Sequence, residues 1–266
     1  QWSSSAASDV YKRQGLNQNL EYQLGTSQCR SDTDGDGLCD GPGGTAENCV
    51  GSEDENGNGA WDEGSETNPF EIDTDQDGLT DRDEFELCTD SLNPDTDGDG
   101  LCDGAGAEGC ARGSEQGFLT DPCNEDTDGD GIGDGNEIFG VNRSNPLSVD
   151  TDSDGLCDGP IGVVVGSDCS GGEDLNADGI RDENETHPNL VDSDYDGLDD
   201  GFEDINRNGE VDVGETNPRL ADSDGDGLTD GCYGSLSTVG ACEDFNNDGG
   251  VDLDDGETDP LNPDTD

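Results

Sequence analysis

The stretch DTDGDGLCD places Asp32, Asp34, Asp36 and Asp40 around Gly37. Carboxylates at alternate positions of a sharply turned chain direct their oxygens at one point, which suits a hard cation. Calcium takes six to eight oxygens, and a twelve-residue loop supplies them from positions 1, 3, 5, 7, 9 and 12, with Gly at position 6 and a backbone carbonyl at position 7. The complete set stands at Asp73, Asp75, Asp77, Asp81 and Glu84 around Gly78. It recurs at Asp126, Asp128, Asp130, Asp134 and Glu137, and at Asp192, Asp194, Asp196, Asp200 and Glu203. Four loops carry the aspartates without a Glu at position 12. They are the one from Asp32; Asp95, Asp97, Asp99 and Asp103; Asp150, Asp152, Asp154 and Asp158; and Asp222, Asp224, Asp226 and Asp230.

A second type of loop reads E-D-x-N-x-[ND]-G-x-x-D. Its candidate ligands are Asp54, Asn56, Asn58 and Asp62, with Ser65 at position 12 and Glu66 one residue later. Asp174, Asn176, Asp178, Asp182 and Glu185 form the next, followed by Asp204, Asn206, Asn208, Asp212 and Glu215. The last is Asp244, Asn246, Asp248 and Asp252, for which Asp255 or Glu257 supplies the closing acid. The loops recur with a mean step of about 21 residues, a period that marks a repeat architecture. Magnesium fits less well, because it demands a rigid octahedron and keeps its waters. Zinc prefers His and Cys, and the chain has one His.

The eleven cysteines follow the missing glutamates. Each first-type loop lacking Glu at position 12 carries a Cys at position 8 or 11, and another Cys follows after a short Gly-rich insertion. This predicts local disulfides Cys39–Cys49, Cys102–Cys110, Cys157–Cys169 and Cys232–Cys242, with Cys88–Cys123 as a fifth and Cys29 left over. Connectivity does not follow from sequence alone. Thiol ligation of a metal is the rival reading, but no CxxC or Cys/His cluster supports it.

Few other elements are available to position these loops. Acidic residues number 70 against 9 basic ones, the net charge is -61, and only 26% of residues are hydrophobic. Such a composition cannot bury enough apolar surface to offset chain entropy. Order must come from ligated cations and disulfides. Prolines in Asn-Pro and Asp-Pro pairs punctuate the units as turns, and between them no apolar period is long enough for a real helix or strand. The expected fold class is an irregular, loop-dominated calcium-binding tandem repeat, with little regular helix or strand. It lacks a single hydrophobic core, and its insertions are pinned by disulfides. Single helical turns are expected at Arg82 to Leu87 and Gly135 to Phe139. Residues 1–14 hold SSSAASDVYKRQ, which resembles translated sequencing-adapter read-through and is set aside. Residues 15–31 are read as a lead-in and 32–266 as the array, stopping inside a motif.

The two loop motifs in series, with their Asn-Pro spacers and interspersed cysteines, resemble thrombospondin type 3 repeats from about residue 32 onward. The resemblance implies a core-poor array wrapped around successive calcium ions in an extracellular setting. It also implies ligand roles for Asp73, Asp75, Asp77, Asp81 and Glu84 and their counterparts.

Nucleic acid is a poor partner for so acidic a chain, because phosphate binding needs basic residues. No run of about 18 apolar residues exists to span a bilayer. Three function classes compete. The first is an extracellular calcium-stiffened spacer or stalk. The second is an adhesin segment meeting an extracellular protein or glycan through its Gly-rich insertions, which lack the aromatic and Arg anchors of interaction hot spots. The third is an enzyme or a linker within a larger secreted one. No Ser/His/Asp, Cys/His or phosphate-loop arrangement stands apart from the repeats. His187 reads as a turn residue and Trp61 as a packing residue. A dockerin-like module would need amphipathic helices after its loops, and those apolar positions are missing.

Overall fold

In the computed structural model, the described residues are 31–42, 44–46, 49–106, 113–160, 169–232, 242–244, 246–250 and 257–263. The chain divides into two compact units, Gln1–Glu125 and Asp126–Asp266. Each is dominated by loops. Four short helices occur among the described residues: α1 (Asp81–Glu86), α2 (Glu115–Phe118), α3 (Asp134–Phe139) and α4 (Asp200–Glu203). α1 and α3 confirm the two expected helical turns. Strands β1 (Gly44–Ala46) and β2 (Cys49–Gly51) pair antiparallel, with Ala46 opposite Cys49. Strands β3 (Thr229–Gly231) and β4 (Cys242–Asp244) pair in parallel, with Thr229 opposite Cys242. No helix among the described residues is long and apolar enough to cross a membrane.

The helices are short because nothing apolar extends them. α1 begins where Thr80 accepts a hydrogen bond from the Asp83 N–H at 3.1 Å. Asp81, Asp83 and Glu84 fill its first turn, where the positive end of the helix dipole favours acids.

The repeating unit closes on itself through its second residue. The Thr74 N–H and hydroxyl both donate to the Asp81 carboxylate at 2.7 Å. The same hydroxyl accepts the N–H of Asn68, in the preceding Asn-Pro turn, at 2.8 Å. Thr96 joins Asp103 to Asp90, and Thr151 joins Asp158 to Asn145, in the same way. Ser193 and Ser223 also accept from their turns, at His187 and Asn217. His187 therefore is a turn residue, its Nδ1 accepting the Asn189 N–H at 3.2 Å. A hydroxyl at position 2 thus ties turn, loop start and loop end together.

Apolar burial is distributed. Leu38, Leu79, Leu101, Ile132, Leu156 and Leu198, each at position 7 of its loop, are buried along with Cys39, Cys49, Cys102, Cys157, Cys169, Cys232 and Cys242. Four disulfides are present: Cys39–Cys49, Cys88–Cys123, Cys157–Cys169 and Cys232–Cys242. Cys102 is also disulfide-bonded. Its expected partner Cys110 lies outside the described residues, as does Cys29.

Successive first-type loops dock directly. The N–H of Gly104, at position 10 of its loop, donates to Oδ2 of Asp77, at position 5 of the preceding one, at 2.6 Å. Gly201 does the same to Asp154 at 3.2 Å, and Gly231 to Asp196 at 2.9 Å. A Cβ at Gly104 would lie 2.8 Å from both the carbonyl oxygen and Oδ1 of Asp77.

The hydroxyl's double role gives a direct test. Thr74→Val should leave the Asn68 N–H and one Asp81 oxygen without their partner, a loss of about 1–3 kcal/mol. Thr74→Ser should be close to neutral, since Ser193 and Ser223 already serve at this position. Hydrogen exchange around Asp73–Asp81 reads the difference.

Candidate metal centres

The backbone turn at position 6 wraps the first-type loop around its own carboxylates. Gly78 sits at φ +103°, a conformation that suits glycine. Asp73 at position 1 accepts two amides, from Gln76 at 2.6 Å and Gly78 at 2.9 Å. Asp75 at position 3 accepts only the Asp77 N–H, at 3.2 Å through Oδ1. Its Oδ2 is buried with no partner, and so are those of Asp34, Asp97, Asp128, Asp152, Asp194 and Asp224. One oxygen from each of Asp73, Asp75 and Asp77 lies within 4.8 Å of the others, as for Asp32, Asp34 and Asp36.

Position 9 behaves differently from the sequence expectation. Its carboxylate bonds to the position-2 residue of its own loop and faces the preceding loop as well. Asp36, Glu53 and Asp81 bring one oxygen each within 4.8 Å of one another, and Asp77, Glu84 and Asp103 do likewise. A second kind of centre is thereby shared between consecutive loops: position 5 and a closing Glu from one, position 9 from the next. In the second unit, Asp130 and Asp158 both bear on Glu137, and Asp154 and Asp200 on Glu173.

The closing glutamates were only half legible. Glu84, Glu137 and Glu203 stand where the spacing puts them. The loops without Glu at position 12 recruit one from beyond the cysteine insertion: Glu53, Glu173 and Glu243. The backbone contact is shared. The Glu84 N–H donates to the carbonyl of Thr80, at position 8, at 3.0 Å; Glu137 reaches Gly133 at 3.1 Å, and Glu203 reaches Asp199 at 3.2 Å. Glu53 donates to Cys39, Glu173 to Cys157 and Glu115 to Cys102, again at position 8, at 2.8–2.9 Å. A disulfide-pinned detour thus does the work of one helical turn. Glu115 is buried too, accepting the Thr120 hydroxyl. The available signal was the Glu that opens the E-D-x-N motif, which closes one loop as its neighbouring Asp begins the next.

These carboxyls are out of water and next to one another. Both side-chain oxygens of Glu53, Glu84 and Glu173 are buried without a hydrogen-bond partner, while Glu203 and Glu243 have Thr216 and Thr258 beside them. Burial first, then Asp34, Asp36, Asp40 and Asp81, pushes the Glu53 carboxyl up to about 9. Burial with Asp75, Asp77, Asp81 and Asp103 does the same to Glu84. Glu137 and Glu203 rise to about 10, and Glu173 is raised well above the ordinary range, each chiefly by burial. Buried like charges need either protons or a cation between them.

In the second-type loops burial still raises the Asp174 carboxyl, but the closing glutamates are hydrogen-bonded. Glu66 accepts the N–H groups of Asn56 at 3.1 Å and Asp62 at 3.2 Å. Glu185 accepts from Leu175 and Asp182, and Glu215 from Asn206 and Asp212. Glu66, one residue late in sequence, therefore fills the place of Glu185 and Glu215. The Asn56 and Asn58 amides both donate to Asp62 Oδ2, at 2.8 and 2.7 Å. Asn206 and Asn208 treat Asp212 alike. The side-chain oxygens of Asn56, Asn58 and Asn208 accept the N–H groups of Asn58, Ala60 and Glu210, so amide groups fix these loops locally where the first-type loops direct free oxygens. Trp61 bonds through Nε1 to the Glu66 carbonyl at 3.1 Å and pins this turn. Asp252 and Asp255 lie outside the described residues, and Glu257 is buried.

Comparison of the chain with protein-family models, curated proteins and solved structures returns no match. The reading therefore stands on this geometry. The first-type donor set is all oxygen, carboxylate-rich and partly unpartnered, which fits a hard divalent cation.

A pH dependence follows for the ion-free chain. A carboxyl raised from 4.5 to about 9, such as Glu53 or Glu84, keeps its proton in the folded state where the unfolded state has lost it. Folded stability is then full below about pH 4.5 and falls as pH rises toward about 9. In chelator, hydrogen-exchange protection should be greater at pH 5 than at pH 9. With excess calcium the order should reverse, because protons then compete with the ion.

Proposed function

We propose that this chain is an extracellular, calcium-organised repeat array that serves as a spacer held in shape by its ions, of the kind the thrombospondin type 3 resemblance implies. One observation carries the reading: Glu53, Glu84 and Glu173 are buried with both oxygens unpartnered, each facing aspartates of its own loop and of the first-type loop that follows. Protein groups supply no counter-charge at these points, and a divalent cation does. Calcium is favoured over magnesium because the donors sit on irregular loops and offer many carboxylates. Asp32, Asp34 and Asp36 with their counterparts would hold one ion within a loop. Asp36, Glu53 and Asp81, or Asp77, Glu84 and Asp103, would hold another between loops.

The disulfides support an oxidising setting, where abundant calcium makes weak sites useful. The spacer role rests on how little else orders the chain. A single buried Leu or Ile in each of six first-type loops cannot replace a core, so binding energy supplies folding energy.

Native mass spectrometry of the oxidised protein should show at least about seven bound calcium ions, one for each first-type loop. Two or three would leave an acidic chain without an array. Chelation followed by small-angle scattering should show expansion in steps, since each repeat leans mainly on its neighbours. A chain that stays compact and exchange-protected in excess chelator at neutral pH overturns the spacer mechanism. Glu84→Gln should weaken the centre it shares with Asp77 and Asp103 by about tenfold or more, on the scale seen for lost partners around metals.

A further inference from the structure

We infer that the buried disulfides gate cation binding, so that reduction by a dithiol empties the centres they close; this rests on the calcium reading above. Two ways of delivering a closing Glu coexist in one chain. In the loops from Asp73, Asp126 and Asp192, one helical turn brings Glu84, Glu137 or Glu203 to the carbonyl at position 8. In the loops from Asp32 and Asp150, the Glu arrives after an excursion, and the only covalent tie across it is Cys39–Cys49 or Cys157–Cys169. These bridges span 10 and 12 residues. In both, the second Cys stands four residues before the Glu and the first offers the carbonyl that receives its N–H.

The bridge and the carboxylate are therefore one device. With the bridge intact, Glu53 or Glu173 is confined to its centre. With it reduced, the insertion must close by chance, and a carboxylate that prefers water is free to leave. The reaction is ordinary exchange. A reductant thiolate attacks one sulfur, the other leaves as a Cys thiolate, and the reductant's second thiol resolves the mixed disulfide. Two electrons pass to the protein, which takes up two protons, and the dithiol becomes a cyclic disulfide.

Reciprocity follows from linkage: if reduction weakens ion binding, the ion must resist reduction by the same factor. The chain carries its own control. Cys39, Cys49, Cys157 and Cys169 are buried, whereas Cys88 is exposed, and Cys88–Cys123, which spans 35 residues with Glu115 among them, involves neither a position-8 cysteine nor one four residues before a closing Glu.

The test uses the full oxidised protein, dithiothreitol, and thiol trapping with mass mapping, in calcium or in chelator. Cys88–Cys123 should reduce at similar rates in both. Cys39–Cys49 and Cys157–Cys169 should reduce roughly tenfold or more slowly in calcium, within the range that closing such a loop implies. Fully reduced protein should bind fewer ions, while centres closed by Glu84, Glu137 and Glu203 keep theirs. Cys157→Ser with Cys169→Ser should lower the ion count in the same direction, and Cys88→Ser with Cys123→Ser should leave it unchanged. Equal reduction rates for the buried bridges with and without calcium, or an unchanged ion count after full reduction, overturn the gate alone. An oxidised protein that binds no ions overturns the underlying calcium reading instead.

Discussion

Carboxylates that are buried together cannot all stay charged unless something positive is placed among them. Most of this structure is arranged around that constraint. Withdrawing one carboxylate from water costs several kcal/mol even after relaxation, and Glu53 shares its surroundings with four aspartates. A chain of net charge -61 has few basic residues to offer. Backbone amides settle position 1, and a hydroxyl settles position 9. One oxygen at each position 3, and both on closing glutamates such as Glu53, Glu84 and Glu173, are left for an ion or a proton. The folding of the first-type loops and their occupancy are consequently one equilibrium.

Much of this was legible, because the alternating aspartates and the Gly at position 6 encode a loop locally. Spacing alone identified Asp73, Asp75, Asp77 and Glu84 as neighbours. It also led to the two helical turns and to four disulfides. What it missed is non-local. Asp81 was read as a ligand of its own loop, and it also faces Asp36 and Glu53 while bonded to the Thr74 hydroxyl. The recurring Thr or Ser at position 2 was visible and went unread. Glu53 and Glu173 were hidden by insertions of variable length, since a ligand delivered around a disulfide leaves no fixed spacing.

Using a disulfide where a sister loop uses a helical turn has a physical logic. A four-residue turn closes at little entropic cost, so Glu84 needs only Thr80 as its cap. A longer excursion loses more freedom on closing, and a cross-link removes part of that loss from the unfolded state. The bridge therefore lets a loop carry a surface insertion without surrendering its closing acid. The same reasoning explains why loops with Glu at position 12 lack a cysteine at position 8.

The two loop types then divide the labour. Asn56 and Asn58 turn amide donors toward Asp62, and Glu66 is held by two backbone N–H groups, so that loop is satisfied by its own polar groups. Its first-type neighbours from Asp32 and Asp73 are not. Neutral amides in place of carboxylates reduce the self-repulsion that an ion must otherwise relieve. On the proposed calcium reading, interleaved self-bonded loops would keep their local turns when the shared centres emptied, holding the neighbours that must re-form around a returning ion close to their places.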